Sequence, residues 1–182
     1  TDRYYPERTP KLEDIEVPLL SRGNWGGIGL HLRGNTEGFM RAGSRHKWLE
    51  LHGDTHWTDY YTPAGRDLMR RFSARLQRGE DSGWDRQRRV LLNVRHPGEK
   101  FVRREENEWP LARTQWTRNY LDMATESLAT EPGGEASRSF RGFSQGLTFH
   151  GAPVRQATEI TGPVAAKLFV SSSTRDADLF LT

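Results

Sequence analysis

The chain has 182 residues, enough for one ordinary domain or two small ones, each large enough to bury a core. Apolar residues make up 34% and charged residues 28%, and no run of about 18 apolar residues occurs, which excludes a membrane-spanning helix. The absence of cysteine excludes disulfides, thiolate zinc sites and a cysteine nucleophile and fits a cytoplasmic protein, while a net charge of +3 raises the question of an anionic partner.

The first residues, Thr1-Asp2-Arg3-Tyr4-Tyr5-Pro6, have neither an initiator methionine nor a signal-peptide pattern, and read as the start of a cut or processed chain. Val17-Pro18-Leu19-Leu20-Ser21 is a short apolar run that suits a buried strand of a parallel sheet. Glycines 23, 26, 27 and 29 follow it and keep the next loop compact. Residues 36–44 read as a short helix, and Lys47-Trp48-Leu49-Glu50-Leu51-His52 as a second strand that ends at Gly53.

The clearest helix runs from Thr62-Pro63, a cap residue followed by proline at the first helical position, to Gly79. Its apolar residues fall at 64, 68, 69, 72 and 76. Arg66, Arg70, Arg71, Arg75 and Arg78 lie mainly off that stripe, so a solvated helix face accounts for them and no nucleic-acid partner is expected. Strand, helix, strand and helix over residues 17–79 indicate an α/β layer, whose functional groups sit in loops at the C-terminal strand ends.

Beyond about residue 85 the signals become those of short strands, at 90–94, 116–121, 147–150, 164–170 and 179–181. Residues 124–138, rich in Thr, Glu, Gly and Ser, read as a surface loop. The expectation is a boundary near residues 80–88, dividing an α/β part (1–84) from an all-β part (85–182) of sandwich or jelly-roll type. The last run, 179–181, stops before any turn or polar tail.

His56, in Gly53-Asp54-Thr55-His56-Trp57, lies just beyond the second strand. An imidazole has an ordinary pKa near 6.5, so at a rigid strand end it can take a hydroxyl proton and return it to a leaving group. The plainer reading is a loop histidine packed on Trp57. His52 and His56 have the i, i+4 spacing of a helical zinc pair, but they straddle Gly53 at a strand end and no third ligand is evident, so no metal is expected. Gly142-Phe143-Ser144-Gln145-Gly146 has the spacing of a hydrolase nucleophile elbow, yet the residues after it favour a strand where the elbow needs a helix, and it reads as a decoy. The glycine loop at 23–29 has neither a dinucleotide fingerprint nor a Walker lysine. It carries Trp25 towards a pocket or into the core.

Taken together these segments resemble the cocaine esterases, X-prolyl dipeptidyl aminopeptidases and related acylases. Val17-Pro18-Leu19-Leu20-Ser21-Arg22-Gly23-Asn24-Trp25 is similar to the strand and Gly-Gly-Trp loop that lead to the family's catalytic aspartate. Gly53-Asp54-Thr55-His56 is similar to its Gly-Pro-Trp-x-His segment, which carries the catalytic histidine. Residues 157–164, followed by Ala177-Asp178-Leu179, resemble the start of the jelly roll that follows the hydrolase domain.

The resemblance implies the C-terminal part of an α/β-hydrolase sheet followed by the first strands of a jelly roll. It implies hydrolysis of an acyl ester or amide, including X-Pro dipeptidyl bonds, through an acyl-enzyme. His56 is then the general base, Trp25 and Trp57 line the substrate pocket, and no metal or organic cofactor takes part. The nucleophilic serine would lie upstream of Thr1, so the segment alone should be inactive and would be completed by the rest of a parent chain, a second polypeptide or another copy of itself. The family's aspartate, two residues after the loop tryptophan, falls on Gly27. That leaves the partner of His56 open, with Asp54, Asp59 and Glu37 close in sequence. The competing class is a non-catalytic interaction or carbohydrate-binding β-sandwich module.

Overall fold

Two strands with nearly continuous burial begin the sheet, as expected for strands covered on both faces. In the structure, a computed structural model that describes residues 3–27 and 30–182, a short helix α1 (Tyr4–Arg8) precedes β1 (Leu19–Asn24), α2 (Leu32–Arg41) and β2 (Lys47–His52). β1 and β2 run parallel, with Leu19 opposite Lys47 and Asn24 opposite His52. The short helix α3 (Thr58–Tyr61) and the long helix α4 (Pro63–Arg78) follow. Ile28 and Gly29 of the glycine loop lie outside the described residues.

α4 forms where its caps demand. The Thr62 hydroxyl accepts from the Gly65 N–H at 3.0 Å, Pro63 opens the helix, and Gly79 ends it with a left-handed φ of 70°. α2 begins four residues earlier than expected, at Leu32 rather than 36. His31 precedes it without a side-chain cap, so the usual start signal is missing. The chain must also be extended again at Ala42 to enter β2.

The strand expected to open the β-rich part joins this sheet instead. β3 (Val90–His96) pairs in parallel with β2, Leu49 opposite Val90 and Leu51 opposite Leu92, and returns through Pro97-Gly98-Glu99 as the antiparallel β4 (Lys100–Glu106). The strand order is β1-β2-β3-β4. Alternation of side chains along β2 and β3 builds a core on each face. Leu49, Leu51, Val90 and Leu92 meet Phe39 of α2 with Trp109 and Leu111, while Trp48 and Leu91 meet Leu68 of α4 and Trp84.

Beyond residue 110 the expected strands are mostly not formed. β5 (Tyr120–Asp122), β6 (Ser127–Ala129) and β7 (His150–Gly151) make a small sheet in that order, β5 antiparallel and β7 parallel to β6. The runs at 164–170 and 179–181 adopt no regular structure, and Val164, Phe169 and Phe180 are exposed. A strand is held by its neighbour, and among the described residues these runs have none. A jelly roll is therefore not formed among them. Residues 141–146 contain a turn with no strand before it and no helix after it, and the Ser144 hydroxyl donates to Arg141 O at 2.7 Å. No helix among the described residues is long and apolar enough to cross a membrane. Most of the α4 arginines have local partners, Arg70 and Arg71 on Asp67, Arg75 on Asp85 and Arg78 on Glu80.

Candidate active site

In a parallel sheet the loops that leave the C-terminal strand ends lie side by side. Here the loops after β1 and β2 each bring a histidine to that edge. His31 comes from the loop before α2 and His56 from the loop before α3, and their rings stack with centroids 5.0 Å apart and planes at 28°. Trp57, an exposed residue, meets the His56 ring edge-on at 4.6 Å. The His56 ring is half-buried, and its Nδ1 has no hydrogen-bond partner among the described residues. Neither Asp54, Asp59 nor Glu37 therefore reaches that nitrogen.

Trp25 has a different setting. Its indole N–H donates to Asn93 O of β3 at 2.7 Å, and its ring lies 6.5 Å from that of Trp109 against the α2-side core. Among the described residues beyond its chain neighbours, a Cβ on Gly27 would meet only the His31 Cβ at 3.9 Å, an ordinary contact.

Beneath the loop, on the α4 side of the sheet, lies a buried cluster that sequence reasoning did not find. The register sets Arg22 opposite Glu50, and the Arg22 Nε donates to Glu50 Oε2 at 3.0 Å. The same carboxylate oxygen lies 3.0 Å from His52 Nδ1. Arg22 Nη2 donates to Asp59 of α3, and the guanidinium lies over the Tyr60 ring, 4.4 Å from its centre. The side chains of Arg22, Glu50 and His52 are 3%, 7% and 1% exposed.

Burial alone would push His52 down, but the hydrogen bond and charge of Glu50, with the charge of Asp59, outweigh both burial and Arg22 and raise it above 6.5. Glu50, His52 and Asp59 offer ligand atoms within 4.8 Å of one another, as a metal site would. The Arg22 guanidinium already occupies both carboxylates, so the cluster holds its cation as an arginine. The fold thus gathers His52 with carboxylates below the sheet edge and sends His56 into the loop above. The only trace of this cluster in the sequence is charge inside two buried strands, Arg22 in β1 and Glu50 and His52 in β2.

Residues 82–182 match the family of X-Pro dipeptidyl-peptidase C-terminal non-catalytic domains. The chain belongs to that family. Two crystal structures of a CocE/NonD family hydrolase from Staphylococcus aureus are similar to it, each with 30% identity and a TM-score of 0.67 over 71% of this chain. The match covers 24% of one of those chains and 23% of the other, so this chain spans about a quarter of their length. No curated protein matches it.

The family segment reaches the site directly. It contributes β3, whose Asn93 carbonyl fixes Trp25, and β4, whose Phe101 ring lies where a Cβ on Gly53 would fall.

Proposed function

We propose that this chain is the C-terminal portion of a serine hydrolase that cleaves acyl ester or amide bonds, X-Pro dipeptidyl bonds among them, with His56 as its general base. The observation that carries the reading is the position of His56. It stands at the C-terminal ends of parallel strands, in a chain whose relatives are hydrolases. A serine supplied by the parent protein attacks the acyl carbon while His56 takes its proton. His56 then protonates the leaving group, and water, activated by the same imidazole, releases the acyl-enzyme. Trp57, two-thirds exposed beside the ring, offers a face to the substrate.

In this reading, the chain beyond about residue 110, rather than the whole of 85–182, is the first part of a jelly roll whose other strands come from the rest of the parent chain or a second polypeptide. The surface supports it. The chain exposes 14947 Å², against about 9,000 Å² for a compact protein of 20.9 kDa. Polypeptide that covers the exposed runs at 164–170 and 179–181 would remove much of the excess.

Replacing His56 with alanine in the full-length protein should lower acyl-ester turnover by roughly four to six powers of ten. Near-normal hydrolysis by that variant removes His56 from the mechanism. A second reading, a non-catalytic interaction or carbohydrate-binding module, draws on a His56 Nδ1 without a partner among the described residues and on the non-catalytic description of the family segment. A serine-reactive fluorophosphonate probe separates the two. It labels a serine of the full-length protein in the first and nothing in the second.

A further inference from the structure

We infer that Arg22 and Asn24 of β1 are positioning residues that together fix the loop carrying His56, one at each of its ends. Alternate residues of a strand share a face, so both side chains lie on the α4 side of β1. Each reaches across to the chain that follows β2.

Asn24 holds the front of the loop. It is 2% exposed, and its amide donates to Gly53 O at 2.9 Å and Asp54 O at 3.0 Å, with a longer contact of 3.4 Å to His52 O. Asp54 has a φ of 54°, a left-handed conformation uncommon outside glycine. Such a turn persists only where its surroundings over-determine it, and the Asn24 amide does so by gripping the carbonyls on both sides of it.

Arg22 holds the rear. Glu50 fixes the guanidinium from below, so it meets Asp59 already oriented, while its flat face supports Tyr60. Tyr60 also stands edge-on to His52, with ring centroids 5.8 Å apart. α3 is a single turn with no side-chain cap of its own, and it is this pair of contacts that ties it to the sheet.

Between the anchors lie only residues 55–58, and they close on themselves. Thr58 N donates to Thr55 O at 3.3 Å and the two hydroxyls hydrogen-bond. His56 is the second residue of that closed turn. Among the described residues no carboxylate orients its ring, and its placement rests on backbone held from two sides and on the stack with His31. Hydrogen bonds from the sheet take over work that an acid partner does in a triad.

The catalytic consequence rests on the proposed role of His56, whereas the anchoring of the loop does not, and the test keeps them apart. Asn24→Ser and Asp59→Asn are made in the full-length protein, the first removing one anchor and the second taking the charge from the other and so weakening it. The second keeps the shape of the side chain and lies at the partly exposed end of the cluster, so it folds even if the first does not. The NMR ring resonances of His56 are followed with those of His46, which precedes β2 at the opposite end of the sheet. Turnover of an acyl ester is measured beside them.

The expected result is a shift or broadening confined to His56 and a fall in kcat of about 10- to 100-fold at nearly constant KM. A folded variant whose His56 resonance matches the wild type overturns the inference, as does one in which His46 moves equally. If the wild-type protein hydrolyses no ester, the proposed function fails and the resonances alone decide the anchoring.

Discussion

Replacing Gly65 with alanine sets two opposing forces against each other in the first turn of α4. Helix propensity favours alanine by up to about 1 kcal/mol. Packing opposes it. A Cβ at position 65 would fall on the Asp59 carbonyl oxygen and stand 2.8 Å from Asp59 Oδ2. Neither atom is free to give way, because the first is backbone of α3 and the second is paired with Arg22. Relief requires α3 and α4 to separate by on the order of 1 Å, since uncrowded heavy atoms sit about 3.5–4.0 Å apart.

Overpacking of this kind costs about 1–3 kcal/mol. Weakening the Arg22–Asp59 pair adds less than a fully buried pair would, because the Asp59 side chain is 22% exposed. The balance is a net loss of about 1–2 kcal/mol, or roughly 2–8 °C in Tm for a chain of this size. Thermal and urea unfolding followed by circular dichroism measure it, with Gly38→Ala as the reference. Among the described residues, and apart from the helix's own backbone, nothing lies within 4 Å of a Cβ at position 38, inside α2, so that change should stabilise by about 0.5–1 kcal/mol. If Gly65→Ala matches or exceeds the wild-type Tm while Gly38→Ala raises it, the close approach of α3 to α4 is refuted.

Other outcomes follow from the same contacts. His52 is raised in the folded protein, so the stability its charge contributes is complete below about pH 6.5 and is lost as pH rises through the folded-state value. Unfolding measured from pH 6 upward should show this loss, and His52→Gln should abolish that slope. Glu159, on the otherwise irregular C-terminal run, is held down to about 2 from 4.5 chiefly by Arg104 of β4, so its contribution is present above pH 4.5 and disappears as pH falls towards 2. Gly27→Asp meets no crowding among the described residues and should place a carboxylate within reach of the histidine pair, producing a downfield imidazole N–H proton in the NMR spectrum of the full-length protein and, under the proposed function, raising its kcat. Ser144→Ala should leave ester hydrolysis unchanged in the same assay, since that hydroxyl serves only its own turn.

What could be read ahead of the structure follows the range of the forces involved. α4 is written locally, in Thr62, Pro63 and Gly79, and β2 begins and ends at the residues its pattern marks. The short strands beyond residue 110 depend on partners rather than on their own side chains, and β-type composition at 164–170 does not produce a strand without one. The position of His56 at a strand end was legible in the glycine that follows β2. Its stacking on His31 was not, because it depends on how two separate loops settle. The Arg22 cluster joins Arg22 to Glu50, 28 positions on, through the parallel register, and to Asp59, 37 positions on, through the placement of α3, and no local pattern encodes either. Trp25 could be assigned to pocket or core only once its indole was seen to reach a β3 carbonyl 68 residues away.

The mixed sheet also changes how the family segment should be regarded. β3 is the inner neighbour of β2, β4 shields β3, and both lie within the stretch matched to a domain named for its lack of catalysis. A cut between residues 79 and 90 would strip β2 of one hydrogen-bonding flank, uncover Leu49 and Leu51, and leave Gly53 without the Phe101 ring against it. The two halves share a wall, and an attempt to express either alone would dismantle the ledge on which His56 stands.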